Sequence, residues 1–201
     1  MITEVFFDVE TKKLFSEIDK FDPADLGVSI VSLYRRILDE NYIEKEGKLM
    51  SFWEADFQKL WPIFQEANRI IGFNSINFDV PALEPYTNFP IKKLPHFDIM
   101  AKVKDVFGRR ISLDSISKET LGREKSDIGV NAVLYWQTGG KENLKKLQRY
   151  CDDDVIITKE LYDFVLKNGY LHFKDKWNTQ RRVDLDFSYP KEKSQKQIGL
   201  F

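Results

Sequence analysis

Two acidic side chains near the start of the chain are placed to bind a divalent cation. Asp8 and Glu10 stand two apart in residues 4–10 (EVFFDVE), an apolar segment that favours a β-strand covered on both faces. Because side chains alternate along a strand, both carboxylates leave the same face of the sheet. Neighbouring carboxylates repel each other and are costly to desolvate, so a divalent metal is the natural compensation. A solvent-exposed strand end is the alternative, since 32 acidic residues make such pairs common.

A second acidic group lies in the predicted long helix of residues 142–166. Tyr150 and Asp154 are four residues apart and therefore share one helix face. Asp154 precedes the apolar run of residues 155–157, which predicts that its side chain points inward. Asp152 and Asp153 are expected to lie on a solvated face.

Asp79 comes shortly after a predicted strand at residues 69–73. Residues 74–83 are typical of a loop that enters a helix, with Pro81 in an early turn. A helix N-cap is the structural alternative for Asp79 and for Asn77.

The remaining segments predict the elements that position these residues. Helical spacing, strand alternation and glycine stops all contribute to the assignment. The predicted strands are residues 4–10, 25–34 and 69–73 with a hairpin turn and return in 35–48; the predicted helices are 52–67, 99–107, 112–121 and 142–166; a hairpin spans 170–187. Helices interleaved with strands of one sheet indicate an α/β fold.

Composition excludes several classes of function. The 31 basic residues balance the 32 acidic ones at a net charge of -1, which excludes a polybasic protein. One cysteine excludes a disulfide scaffold and a Cys-ligated zinc site. Two histidines disfavour zinc-hydrolase and Ser-His-Asp chemistry. No signal peptide and no apolar run of membrane-spanning length is visible, so we expect a soluble, cytoplasmic protein with no membrane partner.

The three acidic segments together resemble a known superfamily. They are similar to the three motifs of the DEDD 3′–5′ exonucleases, and the second and third are particularly similar to the proofreading domain of family B DNA polymerases. Other segments match stand-alone exonucleases related to that domain. The three motifs are residues 7–11 (FDVET), 72–83 (GFNSINFDVPAL) and 150–155 (YCDDDV); the further matches are 96–99 (HFDI), 113–114 (LD) and 121–130. No polymerase region follows, which predicts a free-standing exonuclease or one that acts through a partner.

The resemblance implies a fold and a catalytic set. The fold would be ribonuclease-H-like, with a mixed five-stranded sheet flanked by helices. Asp8, Glu10, Asp79 and Asp154 would bind two Mg²⁺ or Mn²⁺ ions, with Asp8 bridging both and Glu10 and Asp154 sharing one of them. Tyr150 would place the protein in the tyrosine (DEDDy) branch. A tyrosine with an ordinary pKa near 10 is a poor base at neutral pH, so we assign Tyr150 to orienting the attacking water.

Substrate contacts follow from the same resemblance. Thr11 and Asn74 resemble residues that line the 3′-terminal nucleotide. Phe73 or Phe78 could stack on a base, although core packing is the expected role of both. The basic residues of the predicted hairpin either flank the DNA strand or are simply exposed: Lys174, Lys176, Arg181 and Arg182.

The C-terminal residues carry a separate signal. We expect a catalytic domain over residues 1–187 and a flexible, lysine-rich tail over residues 188–201. Residues 197–201 (QIGLF) resemble the bacterial sliding-clamp-binding pentapeptide through Gln197, Ile198, Leu200 and Phe201. A register that begins at Gln195 partly resembles the archaeal and eukaryotic motif. Docking of the tail on its own domain is the alternative.

These patterns predict a metal-dependent 3′–5′ DNA exonuclease of replication or repair, tethered to a sliding clamp. Its expected substrate is DNA with a free 3′ end, in single-stranded form. The alternatives are an RNA 3′-end trimming enzyme and a catalytically inactive nucleic-acid-binding module. A two-carboxylate glycosidase explains neither Asp79 nor the Tyr150–Asp154 pairing.

Overall fold

A mixed five-stranded sheet forms the centre of the protein. A computed structural model describes residues 1–123 and 129–190 of the 201-residue chain. The strands of the sheet are β1 (Ile2–Thr11), β2 (Val28–Leu38), β3 (Glu44–Trp53), β4 (Arg69–Gly72) and β5 (His96–Asp98), in the order β3-β2-β1-β4-β5. β2 pairs antiparallel with β1 and β3, whereas β4 pairs parallel with β1 and β5. The predicted α/β class and mixed sheet are confirmed.

Six α-helices of the described residues flank this sheet. They are α1 (Trp61–Gln65), α2 (Asp79–Leu83), α3 (Ile99–Phe107), α4 (Leu113–Leu121), α5 (Gly129–Thr138) and α6 (Lys141–Asn168). Short 3-10 helices occupy Phe15–Glu17, Pro23–Asp25, Glu54–Lys59, Glu84–Tyr86 and Ile91–Lys93. A separate hairpin joins β6 (Tyr170–Lys174) to β7 (Gln180–Asp184).

Alternation along β1 divides the core between the two faces of the sheet. Val5, Phe7 and Val9 pack on one face with the residues of α1 and α2. Phe6 packs on the other face, against residues of α3, α4, α6 and the β6–β7 hairpin. Asp8 and Glu10 therefore continue the Phe6 face, as the strand period predicts.

The predicted helix of residues 52–67 is wrong over its first half. Phe52 and Trp53 complete β3 by pairing with Val31 and Ile30 of β2. A 3-10 helix follows, and only Trp61–Gln65 is α-helical, with Pro62 in its first turn. A proline lacks the N–H that an interior helical residue donates, so α1 begins afresh at this point.

Other boundaries also differ from the predictions. The predicted strand of residues 25–34 begins at Val28 and continues to Leu38, and the 28-residue α6 is unbroken. The sequence patterns did not reveal β5 or α5.

The described chain ends beside the start of β1. The Tyr189 hydroxyl donates a hydrogen bond to Glu4 (2.9 Å), and the Arg69 guanidinium lies 3.7 Å from the Tyr189 ring centroid. The predicted clamp-binding residues 197–201 lie outside the described residues. Within residues 1–123 and 129–190, no helix is both long and apolar enough to cross a membrane.

Candidate active site

Several of the predicted site residues line one cleft at the C-terminal end of β1. The cleft has a volume of about 320 Å³ and lies between β1, the β4–α2 loop, α5 and α6. Six of the residues that the sequence singles out contribute to its wall: Asp8, Glu10, Thr11, Asn74, Asp79 and Asp154. Asp79 and Asp154, which follow Asp8 by 71 and 146 positions in the chain, thus meet it at one site.

Asp8 and Glu10 approach each other on one face of β1. Their carboxylate oxygens and Cys151 Sγ all lie within 4.8 Å of one another, a spacing that could hold a metal ion. Cys151 Sγ also lies 3.5 Å from the Asp8 carbonyl oxygen. The pairing of β1 with β2 shifts register between Glu10 and Thr11. Such irregularities are frequent beside active sites because they redirect side chains.

Asp79 enters the site through a backbone contact with β1. The parallel pairing of β1 with β4 is last seen at Phe6 and Ile71, and beyond it the Val9 N–H donates to Asp79 Oδ1 (3.1 Å). Asp79 is thus a tertiary acceptor, and the N-cap position of α2 belongs to Phe78. Burial, reinforced by the charges of Asp98 and Asp154, raises the pKa of Asp79 to about 7. A bound cation would oppose this shift by favouring the carboxylate.

Tyr150 and Asp154 project from one turn of α6 toward the two β1 carboxylates. Both are buried, with 4% of each residue exposed. Burial raises the pKa of the Tyr150 hydroxyl far above its ordinary value, and the charges of Asp154, Glu10 and Asp8 and a hydrogen bond with Asp154 raise it further. The tyrosine is therefore a neutral phenol at neutral pH.

Asp152 departs from the solvated position that the sequence predicts. Its Oδ1 accepts hydrogen bonds from the Ser32 hydroxyl (2.6 Å) and the Ser51 hydroxyl (2.7 Å). These contacts join α6 to β2 and β3. The Asp153 side chain is 41% exposed and lies 3.7 Å from Arg123.

The β4–α2 loop positions Asn74 at the cleft. Asn74 has a positive φ of 65°, and its side-chain Oδ1 is buried without a hydrogen-bond partner among the described residues. Gly72 permits this sharp loop, because a Cβ at that position would lie 2.5 Å from the Cβ of Ser75. A buried acceptor that faces a cleft is suited to a ligand that donates a hydrogen bond.

The remaining residues that were predicted to contact nucleic acid lie partly in the cleft and partly in the β6–β7 hairpin. Thr11 is buried, and its hydroxyl donates to Lys13 O (2.9 Å). Phe73 and Phe78 line the cleft while they also pack against the two cores. The four basic hairpin residues all have neighbours within the domain: Lys174 lies 3.0 Å from Glu119, Lys176 lies over Trp177, Arg181 pairs with Asp175 at 2.7 Å, and Arg182 pairs with Asp184 at 2.8 Å.

The donors of the cleft fit a hard divalent cation. Mg²⁺ and Mn²⁺ prefer oxygen ligands, and four carboxylates converge here beside a single buried thiol. Burial and the charges of Asp8 and Glu10 raise the pKa of Cys151, which keeps this thiol protonated and disfavours it as a ligand.

Sequence reasoning missed several residues of this site. Phe15, Gly129 and Val133 line the cleft, and a Cβ added at Gly129 would lie 3.9 Å from the Tyr150 hydroxyl. Asp98 supports the β4–α2 loop from the end of β5. Residues 96–99, which include Asp98, resemble a segment of related exonucleases, but the sequence pattern does not indicate the contact between Asp98 and the loop.

Comparison with known proteins identifies the family of the chain. The chain is 23% identical to a DNA polymerase delta catalytic subunit of Candida albicans over 158 residues, which cover 60% of this chain and 15% of the polymerase subunit. The chain thus corresponds to a small part of that protein. The RNase_H superfamily profile matches residues 5–166, which include most of β1, the β4–α2 loop and most of α6. The chain belongs to the RNase_H superfamily.

Proposed function

We propose that this protein is a metal-dependent 3′–5′ DNA exonuclease of the DEDDy type. The observation that carries the proposal is the convergence of Asp8, Glu10, Asp79 and Asp154 on one cleft, with the Tyr150 hydroxyl beside them. Family membership supports a nuclease, and the similarity to a DNA polymerase subunit supports a DNA substrate.

The four carboxylates would hold two Mg²⁺ or Mn²⁺ ions. Such ions would supply positive charge at the scissile phosphate and lower the pKa of the attacking water. The protein would preorganise the carboxylate ligands. For Asp79, the Val9 N–H contributes to this by donating a hydrogen bond to one carboxylate oxygen.

Tyr150 acts as an orienting group. Its raised pKa keeps the hydroxyl protonated, so Tyr150 cannot serve as the general base. A neutral hydroxyl that already hydrogen-bonds Asp154 can direct the attacking water by a second hydrogen bond.

The cleft walls would bind the terminal nucleotide of a single strand. The buried Asn74 Oδ1 offers an acceptor, and the Thr11 hydroxyl oxygen offers a second one because its proton is directed to Lys13 O. Phe73 and Phe78 supply an apolar wall against which a base can pack.

The C-terminal pentapeptide would tether the enzyme to a sliding clamp. Ile198, Leu200 and Phe201 would enter an apolar pocket of the clamp, with Gln197 at its rim. Such a tether would assign the activity to replication or repair.

One assay tests the proposed activity. Matched DNA and RNA strands, labelled at the 5′ end, are incubated with Mg²⁺, Mn²⁺ or EDTA. We expect stepwise shortening of DNA from the 3′ end with either metal and none with EDTA. Shortening of RNA alone, digestion from the 5′ end or full activity in EDTA would contradict the proposal.

A further inference from the structure

The Asp98 carboxylate organises the loop that carries two of the cleft groups. Asp98 is 2% exposed and lies at the end of β5. One of its oxygens accepts from the N–H groups of Asn74 (2.9 Å) and Ala101 (3.1 Å), and the other accepts from Ile76 N–H (3.1 Å). One side chain thus caps α3 and fixes two backbone positions of the β4–α2 loop.

The fixed loop determines where Asn74 and Asp79 lie. The N–H of Asn74 is held by Asp98 while its backbone is left-handed, a conformation that costs a non-glycine residue free energy. The Asn74 carbonyl accepts from Phe78 N–H (3.1 Å), and the Ser75 carbonyl accepts from Val80 N–H (2.8 Å). These bonds join the loop to α2, which carries Asp79 in its first turn.

We infer that Asp98 is a positioning residue for both the metal-binding and the nucleotide-binding sides of the cleft. It contacts neither reactant and acts by holding the Asn74 amide and, through the start of α2, the Asp79 carboxylate. The inference rests on the proposed function, because it names what supports that site. Partners of this kind typically contribute about 10–100-fold to metal affinity or activity.

The contacts of Asp98 require both carboxylate oxygens. An asparagine keeps one oxygen for the N–H groups of Asn74 and Ala101 but turns its NH₂ group toward the N–H of Ile76. Asp98→Asn should therefore perturb one side of the loop, and Asp98→Ala should release all three N–H groups. We therefore expect a smaller loss of kcat or Mn²⁺ affinity in Asp98→Asn than in Asp98→Ala.

Asp175 provides a matched control. It is also largely buried, at 9% exposure, and it accepts from two backbone N–H groups, those of Trp177 (2.9 Å) and Thr179 (3.1 Å). It organises the β6–β7 turn, which contributes no residue to the cleft wall described above. Asp175 also pairs with Arg181 at 2.7 Å. Its loss should lower stability and free that arginine while it leaves the cleft intact, so kcat and Mn²⁺ affinity, and not KM, carry the comparison.

The experiment compares Asp98→Asn, Asp98→Ala, Asp175→Asn and Asp175→Ala in the full chain, well below the melting temperature of every variant. We measure kcat and KM on a 5′-labelled single strand with Mg²⁺, and Mn²⁺ affinity by calorimetry. Both series should melt earlier than the wild type. Only the Asp98 series should lose kcat or Mn²⁺ affinity, by about 10–100-fold for Asp98→Ala and less for Asp98→Asn.

Two results would overturn the inference. One is that both Asp98 variants keep kcat and Mn²⁺ affinity within about twofold of the wild type; the other is that the Asp175 variants lose as much. If Asp98→Ala does not fold, Asp98→Asn carries the comparison. Wild-type protein that binds Mn²⁺ without hydrolysing any strand would refute the proposed function, while the Mn²⁺ comparison would still decide the role of Asp98.

Discussion

Asp8 of β1 and Asp154 of α6 line the same cleft. Because each is a proposed ligand of a shared ion, Asp8→Ala and Asp154→Ala should each remove detectable hydrolysis of a labelled strand with Mg²⁺. The folded structure should survive, since both changes relieve repulsion between crowded carboxylates. Without metal, we expect each variant to melt no earlier than the wild type in a thermal scan with EDTA.

Asp153→Ala is the matched control for these substitutions. Asp153 lies on the same helix as Asp154 but faces Arg123 near the surface. It should retain wild-type activity. Near wild-type rates for Asp8→Ala or Asp154→Ala with Mg²⁺ would show that the metal assignment is wrong.

Replacing Tyr150 tests a weaker contribution at the same site. Tyr150→Phe removes the proposed orienting hydroxyl but none of the proposed metal ligands, so its rate should fall by about 10²–10⁴-fold and less than that of Asp154→Ala. An ordinary tyrosine has a pKa of about 10, and that of Tyr150 is raised above this value. The wild-type rate should therefore show no increase from phenolate formation as the pH rises from 7 to about 10. Rates of both variants are compared on one strand at saturating Mg²⁺. Equal losses would indicate a more direct role for the hydroxyl.

At the scale of elements, Asp152 fastens α6 to β2 and β3. Asp152→Ala leaves the Ser32 and Ser51 hydroxyls without their acceptor and should lower the free energy of unfolding by about 1–2 kcal/mol. The control Asp153→Ala, at a side chain that is 41% exposed, should change the free energy of unfolding by less than about 0.5 kcal/mol. Urea denaturation of both variants with EDTA measures the difference. Similar values for the two would mean that the hydroxyl contacts contribute little to the docking of α6.

Helices that end at a glycine were among the elements whose bounds could be predicted from the sequence. Gly108 and Gly122 end α3 and α4 in left-handed conformations, where glycine avoids a steric cost, so both boundaries were predicted correctly. The three-residue β5 is too short to show a period, and α5 shows no clear polar face. The helix predicted through Phe52 and Trp53 failed because strand pairing with β2 outweighed helical spacing.

In the candidate site, too, the residues that local sequence patterns place were predicted, and those held by distant contacts were not. Strand alternation was sufficient to place Asp8 and Glu10 on one face, and helix spacing paired Tyr150 with Asp154. The contacts of Asp98 with the β4–α2 loop and those of Asp152 were not predictable, because their partners are a loop backbone and two hydroxyls on distant strands. No periodic pattern in the sequence records such partners.

At the scale of the whole molecule, the cleft and the end of the described chain lie at opposite ends of β1. Glu4, which binds the Tyr189 hydroxyl, and Glu10, which lines the cleft, are six residues apart on this strand. At about 3.3 Å per residue, roughly 20 Å separate them. The last described residues therefore lie well away from the proposed catalytic residues.

This separation leads to a prediction for the tail. Deletion of residues 197–201 should leave hydrolysis of short free strands unchanged but abolish binding to the sliding clamp of the same organism. Ile198, Leu200 and Phe201 would each contribute roughly 1.5–3 kcal/mol when buried. After the cost of ordering the tail, these contributions correspond to micromolar affinity, or about -8 kcal/mol. The tether raises the local enzyme concentration, so the truncation should slow digestion only on clamp-loaded primer templates.

Titration of the clamp with full-length and truncated protein, followed by fluorescence anisotropy, measures the difference directly. Substituting Gln195 alone serves as the control, because it lies outside the pentapeptide and belongs only to the other register of the motif. If the pentapeptide is the anchor, this variant should bind the clamp as the wild type does. Equal binding of the truncated and full-length forms would refute the tether. A truncation that instead lowers the melting temperature and the rate on free strands would indicate that these residues pack on their own domain.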